Sequence, residues 1–191
     1  MMRRLAGWIC TLVFLRLNHV KSSPGVRLEG RRRISFQSGA ELGEKARIRA
    51  RGATSQVTLG DGAVLREGVE INAKGGSVRI GADTFIARDV WLGGQGSIAI
   101  GKNSMIGLRT VLVSSDHDYL NVVRPYYGGS EVPKSIEIGD NVWVGAGCVI
   151  LGGTRIGSGS VVGAGSVVIG EFPPDSLIVG VPAELERPIE R

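Results

Sequence analysis

The sequence predicts an all-β fold, a stacked and roughly triangular β-helix of short strands, and three observations predict it. Aliphatic residues recur every six positions, small or β-branched residues form a second column four positions after them, and 30 glycines accompany an aromatic content of only 5%. A layered core normally draws on large rings as well as aliphatics, so this mixture implies repetition. At 191 residues the chain suffices for one domain.

The period is clearest at Ile138, Val144, Ile150, Ile156, Val162 and Val168. Upstream it runs through Leu59, Leu65 and Ile71, then Ile80, Ile86 and Leu92, then Ile100, Ile106 and Leu112, with a weaker first set at Leu42, Ile48 and Thr54. Three hexapeptides, or 18 residues, make one coil, and about six coils are countable. Thr84, Val90, Ser104, Thr110, Val142, Cys148, Thr154, Ser160 and Ser166 belong to the second column. Two inward positions per hexapeptide fit a short strand whose residues alternate in and out. Glycine commonly follows the aliphatic, as at Gly81, Gly101, Gly107, Gly139, Gly145, Gly157 and Gly163, where a tight bend leaves no room for a side chain. Coils stacked about 4.8 Å apart then bury ladders of aliphatics that no single coil could bury.

On this reading residues 42–182 form the β-helix, 24–41 a lead-in, and 183–191 a C-terminal tail. Residues 1–23 carry Arg3, Arg4, the apolar run from Leu5 to Leu15, Arg16 and Lys21. The run is far shorter than the roughly 20 residues a membrane-spanning helix needs, and no small-x-small cleavage site follows it. A short helix over the open end of the prism is expected, with peripheral membrane contact as the second expectation. The formal charge of +5 favours anionic partners without choosing among them. Cys10 and Cys148 lie in no metal-binding spacing, and Cys148 falls in the small inward column, so a packing role is expected for it.

Between Leu112 and Ile138 the step of six becomes 26, and residues 114–135, SSDHDYLNVVRPYYGGSEVPKS, leave the coil. So long a loop in a compact domain is usually functional or disordered. This one gathers Asp116, His117, Asp118, Tyr119, Arg124, Tyr126 and Tyr127 on an otherwise aliphatic frame. An imidazole is suited to taking a proton near neutral pH, and an adjacent carboxylate can fix its tautomer. A histidine between two aspartates also suits a solvated turn, and residue chemistry alone leaves both readings open.

The stretch IGDNVWVGAGCVILGGTRIGSGSVVGAGSVV at 138–168, preceded by SSDHDY and VPKS and followed by FPPDSLIVGVPAELERPI at 172–189, decides between them. It closely resembles the maltose and galactoside acetyltransferase branch of the hexapeptide-repeat acyltransferases, over about residues 57–189. The resemblance implies a left-handed parallel β-helix that assembles as a homotrimer, with acetyl-CoA in the cleft between neighbouring prisms. It implies His117 as general base, and a backbone N–H at Ala146 as oxyanion donor. Trp143 becomes a wall for acceptor or pantetheine, Ala164 a cofactor contact and Arg187 a holder of the CoA phosphates. Asp116 and Tyr119, beside the histidine, are expected at the acceptor.

The chain departs from the branch at Ile169-Gly170, where Thr-Lys is typical, at Glu184 in place of a basic residue, and at Ala87 in place of an amide near the acceptor. Residues 1–41 also lack the usual helical N-terminal segment. A zinc enzyme of the γ-carbonic anhydrase type needs three histidines, and the chain has only His19 and His117. No metal and no nucleic acid are therefore expected. Arg47, Arg49 and Arg51 alternate on one outer face with Arg31, Arg32 and Arg33 nearby. With the apolar N-terminus they favour a hydroxyl or amine of a sugar in surface polysaccharide or glycan synthesis, acetylated in the cytoplasm or at the inner face of the membrane. Antibiotic acetylation of the streptogramin or chloramphenicol type, nucleotide-amino-sugar acetylation and a noncatalytic scaffold are the alternatives.

Overall fold

The computed structural model describes residues 19–118 and 130–190, and over them the chain winds as a β-solenoid of three parallel faces. The first face stacks Lys21–Ser22, Glu41–Leu42, Val64–Leu65, Phe85–Ile86, Met105–Ile106, Trp143–Val144, Val161–Val162 and Ser176–Gly180. The second stacks Arg27–Glu29, Arg47–Arg51, Glu70–Lys74, Trp91–Gly94, Val111–Val113, Val149–Leu151 and Val167–Val168. The third runs from Ile34–Phe36 through Gln56–Leu59, Ser77–Ile80, Ile98–Ile100, Ile136–Ile138 and Arg155–Ile156 to Glu171–Phe172. These make seven complete coils, and the last strand, Ala183–Pro188, folds back antiparallel on Ser176–Gly180.

Register explains the sequence period. On the first face Leu42, Leu65, Ile86, Ile106, Val144, Val162 and Ile178 lie directly above one another. On the second, Leu28, Ile48, Ile71, Leu92, Leu112, Ile150 and Val168 do the same. All fourteen are buried. Each of these two faces is thus a ladder of like aliphatics that fills a narrow prism, and on the third face the rings of Phe36 and Phe172 pack against the core at the two ends of the column.

The small column occupies the corners, and its hydroxyls join successive coils. Thr84 Oγ1 donates to the Gly101 carbonyl at 2.6 Å, Ser104 Oγ to Gly139 at 3.0 Å and Thr110 Oγ1 to Gly145 at 2.9 Å. The same oxygens accept backbone N–H groups: Thr84 from Ser104 at 3.3 Å, Ser104 from Val142 at 3.0 Å and Thr110 from Cys148 at 3.2 Å. Buried polar atoms are satisfied in this way rather than left as a cost. Cys148 packs in this column, and burial pushes its thiol above the usual range.

The glycines after the aliphatics are demanded by the coil above. A Cβ on Gly81 would lie 2.5 Å from the carbonyl carbon of Gly101 and the amide nitrogen of Lys102. Left-handed backbone falls two residues later, at Asp83, Asn103 and Asn141, short polar residues that tolerate it.

Three expectations need correction. There are seven coils rather than six, because Val26, Leu28 and Ile34 already lie in the buried columns of a first coil. Its period is hidden by Ser22 on the first face and by a single 3₁₀ turn at Arg31–Arg33. Thr54 is no core position: it is exposed, its hydroxyl donates to the Gly75 carbonyl at 2.6 Å, and Leu59 closes that coil. The arginines of the second face are largely neutralised. Glu29 pairs with Arg51 at 2.6 Å and with Arg49 at 3.5 Å, while Glu70 pairs with Arg49 and, at 3.9 Å, with Arg47. The N-terminal helix and Cys10 lie outside the described residues. Among the described residues no helix is long and apolar enough to cross a membrane.

Two outcomes follow from this packing. Gly81→Ala forces backbone apart at a coil junction and is expected to lower stability by about 1–3 kcal/mol, read as a reduced denaturant midpoint. In a Cys10→Ser background, Cys148 is expected to react with a disulfide reagent at pH 8 only as fast as the protein unfolds.

Candidate functional site

The long insertion leaves the solenoid at the corner between the second and third faces of the fifth coil. Its feet are pinned at Ser114, a buried residue whose hydroxyl donates to the carbonyls of Gly93 at 3.1 Å and Gly96 at 2.8 Å. The Ser114 carbonyl in turn accepts the N–H of Lys134 at 2.9 Å. Beyond this point Ser115–His117 pairs antiparallel with Glu131–Pro133 to form a projecting arm.

Pairing geometry determines which side chains meet. His117 stands opposite Glu131, and Ser115 opposite Pro133. The backbone bonds fall at Lys134 N–H to Ser114 O and at Asp118 N–H to Ser130 O. Bonded and non-bonded pairs alternate along an antiparallel ladder, so His117/Glu131 is a non-bonded pair, the kind whose side chains approach most closely. Ser115, His117 and Glu131 share one face of the arm, and Asp116 and Val132 the other.

Each face carries its own charge contacts. Glu131 accepts the Ser115 hydroxyl at 2.9 Å and pairs with Lys74, which reaches it from the third coil. The Lys74 ammonium, the Ser115 hydroxyl and the nearby imidazole of His117 together hold the Glu131 carboxyl below its ordinary pKa, against the opposing pull of burial. On the other face Asp116 pairs with Lys134 at 3.3 Å and accepts the backbone N–H of His117 at 2.9 Å. The carboxylate next in sequence to His117 is therefore engaged with a lysine and the backbone, while the one opposite it comes from the returning strand. The His117 side chain itself is exposed.

The remaining sequence-predicted residues gather elsewhere. Trp143 lies on the first face with 52% of its surface exposed, in an outward column of Val64, Phe85, Met105, Val161 and Leu177. Ala146 is half-buried at the corner between the first and second faces, and Ala164 is exposed at the same corner one coil on. Among the described residues no backbone acceptor takes the Ala146 N–H, and the equivalent corner positions Leu108 and Ala164 behave alike. Arg187 stands opposite Leu177 in the closing strand.

Trp143 and Arg187 thus stand on the face opposite the corner from which the arm projects, three strands apart, with Ala146 and Ala164 at the corner beside that face. Within one chain Asp116 and His117 share the arm, on its opposite faces, and the other four residues lie on a different side of the coil. Tyr119 lies outside the described residues. Arg155 is held by Glu137 at 3.4 Å and Glu171 at 3.6 Å on the third face. Sequence reasoning passed over Lys74, Ser115, Glu131 and Lys134. The strand alternation of SSDH and SEVPK was the available signal, but the hairpin register that pairs 117 with 131 follows only from the folded arm.

Comparison with known proteins agrees with this architecture. The family model for the bacterial transferase hexapeptide (six repeats) matches residues 135–170. Nodulation protein L of Rhizobium meliloti is 32% identical over 127 residues, covering 66% of this chain and 68% of that protein. The galactoside O-acetyltransferase of Lactococcus lactis is 29% identical over 131 residues, covering 69% of this chain and 62% of that protein. The chain spans about half the length of several other curated relatives it matches, 44% and 48% for two of them. Among solved structures, the polySia-specific acetyltransferase NeuO superimposes with a TM-score of 0.64 at 23% identity, over 88% of this chain and 85% of that one. With the solenoid register, the repeat match and a 32% identical relative covered over two thirds of its length, the chain belongs to the hexapeptide-repeat acetyltransferase family.

Proposed function

We propose that the protein transfers an acetyl group from acetyl-CoA to a hydroxyl of a sugar, in the synthesis of a surface glycan, with His117 as general base. The observation that carries this reading is the arm: an exposed imidazole, faced by a carboxylate, on the one long excursion from an otherwise aliphatic solenoid. The named activities of the galactoside O-acetyltransferase and the polySia-specific acetyltransferase support a sugar acceptor.

In this reading His117 takes the acceptor hydroxyl proton as the oxygen attacks the thioester carbon. A new C–O bond forms, the carbonyl oxygen becomes an oxyanion facing the Ala146 N–H, and the C–S bond then breaks. The CoA thiolate leaves and takes the proton back from the imidazolium, so no acyl-enzyme and no metal are needed. Trp143 and Ala164 would flank the pantetheine, Arg187 would meet the CoA phosphates, and Asp116 and Tyr119 would bound the acceptor.

Separation of the two residue groups within one chain supports a homotrimer in which the arm of one copy faces the Trp143 side of the next. The outward columns support it too. Over the fourth to sixth coils Phe85, Met105 and Trp143 on the first face and Trp91, Val111 and Val149 on the second are apolar, in line with the charged Glu41 and with Arg47 and Glu70 of earlier coils, whereas Ala99, Glu137 and Arg155 line the third. Apolar outer faces of this kind mark contact surfaces. The exposed Arg32 and Arg33 on the first coil, together with the apolar run Leu5 to Leu15 in the sequence, support peripheral contact with the cytoplasmic side of a membrane.

His117→Ala is expected to lower kcat for acetyl transfer by about 10²–10⁴-fold with little change in KM for acetyl-CoA; unaltered turnover in a folded variant removes the base assignment. Coexpressing His117→Ala with Trp143→Ala chains is expected to restore measurable transfer, since some interfaces then pair an intact arm with an intact tryptophan. Mixed oligomers no more active than either parent would exclude the shared site.

A further inference from the structure

We infer that Glu131 is the positioning residue for the His117 imidazole, and that Lys74, two coils back along the solenoid, holds Glu131 in place. This rests on the reading of His117 as the base and adds to it a carboxylate–lysine pair that the sequence context does not indicate.

Three observations converge. His117 and Glu131 are a directly opposed, non-bonded pair, with Cα atoms about 4.5 Å apart in such pairs and side chains on one face. The carboxylate is itself constrained: Ser115 donates to one oxygen at 2.9 Å and Lys74 engages the other, and the Glu131 side chain is only 19% exposed. The rival orienter, Asp116, is on the opposite face and occupied by Lys134 and the backbone. Lys74–Glu131 is also an ion pair between the arm and a distant coil, so it fixes the arm as well as the carboxylate.

The chemistry follows from charge. An ionised Glu131 beside the ring accepts one imidazole N–H, which leaves the lone pair of the other nitrogen for the acceptor proton. When that proton arrives, the imidazolium meets a carboxylate already in place, and no side chain has to reorganise. Among the described residues the charged groups around the ring are Glu131 and Lys74 on its own side, with Asp116, Asp118 and Lys134 along the other face of the arm. The Coulombic effect of His117 on Glu131 has the sign this requires.

With only two histidines in the chain, the His117 ring signals can be assigned by difference from His117→Gln and the tautomer of the ring read by nitrogen NMR without any turnover. Glu131→Gln keeps an oxygen for Ser115 and Lys74 but loses the charge. Its His117 ring is expected to lose the preference for one tautomer that the carboxylate imposes, seen as Nδ1 and Nε2 shifts that move toward each other. Its kcat should fall about tenfold at unchanged KM for acetyl-CoA. Glu131→Asp should recover part of the tautomer preference and of kcat, and Lys74→Met should lower kcat while the carboxylate remains.

A His117 tautomer unchanged in Glu131→Gln overturns the proposal. So does a Lys74→Met enzyme with wild-type kcat. A changed tautomer in a protein that transfers no acetyl group would leave the pair standing and refute the proposed function instead.

Discussion

Coil-to-coil hydrogen bonding is the constraint from which the rest of this structure follows. Each strand takes its backbone partners from the coils below and above, so every coil must repeat the path of its neighbour. That single requirement places like residues over like, as in the column from Leu42 to Ile178. It also fixes the corners, where Gly81 cannot carry a Cβ because the turn of the next coil occupies the space. Even the polar content obeys it, since the buried hydroxyls of Thr84, Ser104 and Thr110 make their shortest bonds to the coil above.

The same constraint decides where chemistry can be built. An insertion within a strand would shift every inward residue outward, because the side-chain period is two. At a corner the chain can leave and return without disturbing either ladder. The arm does so: Val113 below it and Ile136 above it stay in register with their neighbours, and Ser114 closes the gap with its hydroxyl and carbonyl. Freed from the solenoid, the arm obeys antiparallel rules instead. It has two distinct faces, one bearing His117 with Glu131 and the other Asp116 with Lys134. Neighbours in sequence are thereby separated, and residues fourteen positions apart are joined.

This difference explains what could be read from the sequence. Wherever the chain follows the solenoid, spacing of six is sufficient, and the inward columns, the corner glycines and the place of the arm are all legible. Legibility fails where something else sets the path. The first coil was hidden because Ser22 replaces an aliphatic and a 3₁₀ turn adds residues before Ile34. Thr54 was misplaced because the corner at Gly52–Ser55 is longer than six-residue spacing allows, and Leu59 takes the inward position. The alternation of Arg47, Arg49 and Arg51 correctly indicated one outer face, but Glu29 and Glu70 arrive from the coils on either side. A periodic pattern identifies which residues point outward and is silent on what the adjacent coil presents to them. Glu131 eluded the sequence for the parallel reason that its partner is set by hairpin register.

Ion pairs at exposed positions contribute little singly, which makes the arrangement at the arm informative. Lys74–Glu131 and Lys134–Asp116 lie on opposite faces of the same short hairpin. A two-stranded ribbon is marginal by itself in water, so this one depends on its anchors at Ser114 and Lys74 to hold a defined direction. A rigid solenoid can then supply geometry that the arm could not maintain alone: it carries one end in its corner and grips the other from two coils away. An exposed imidazole can thereby be oriented without being buried.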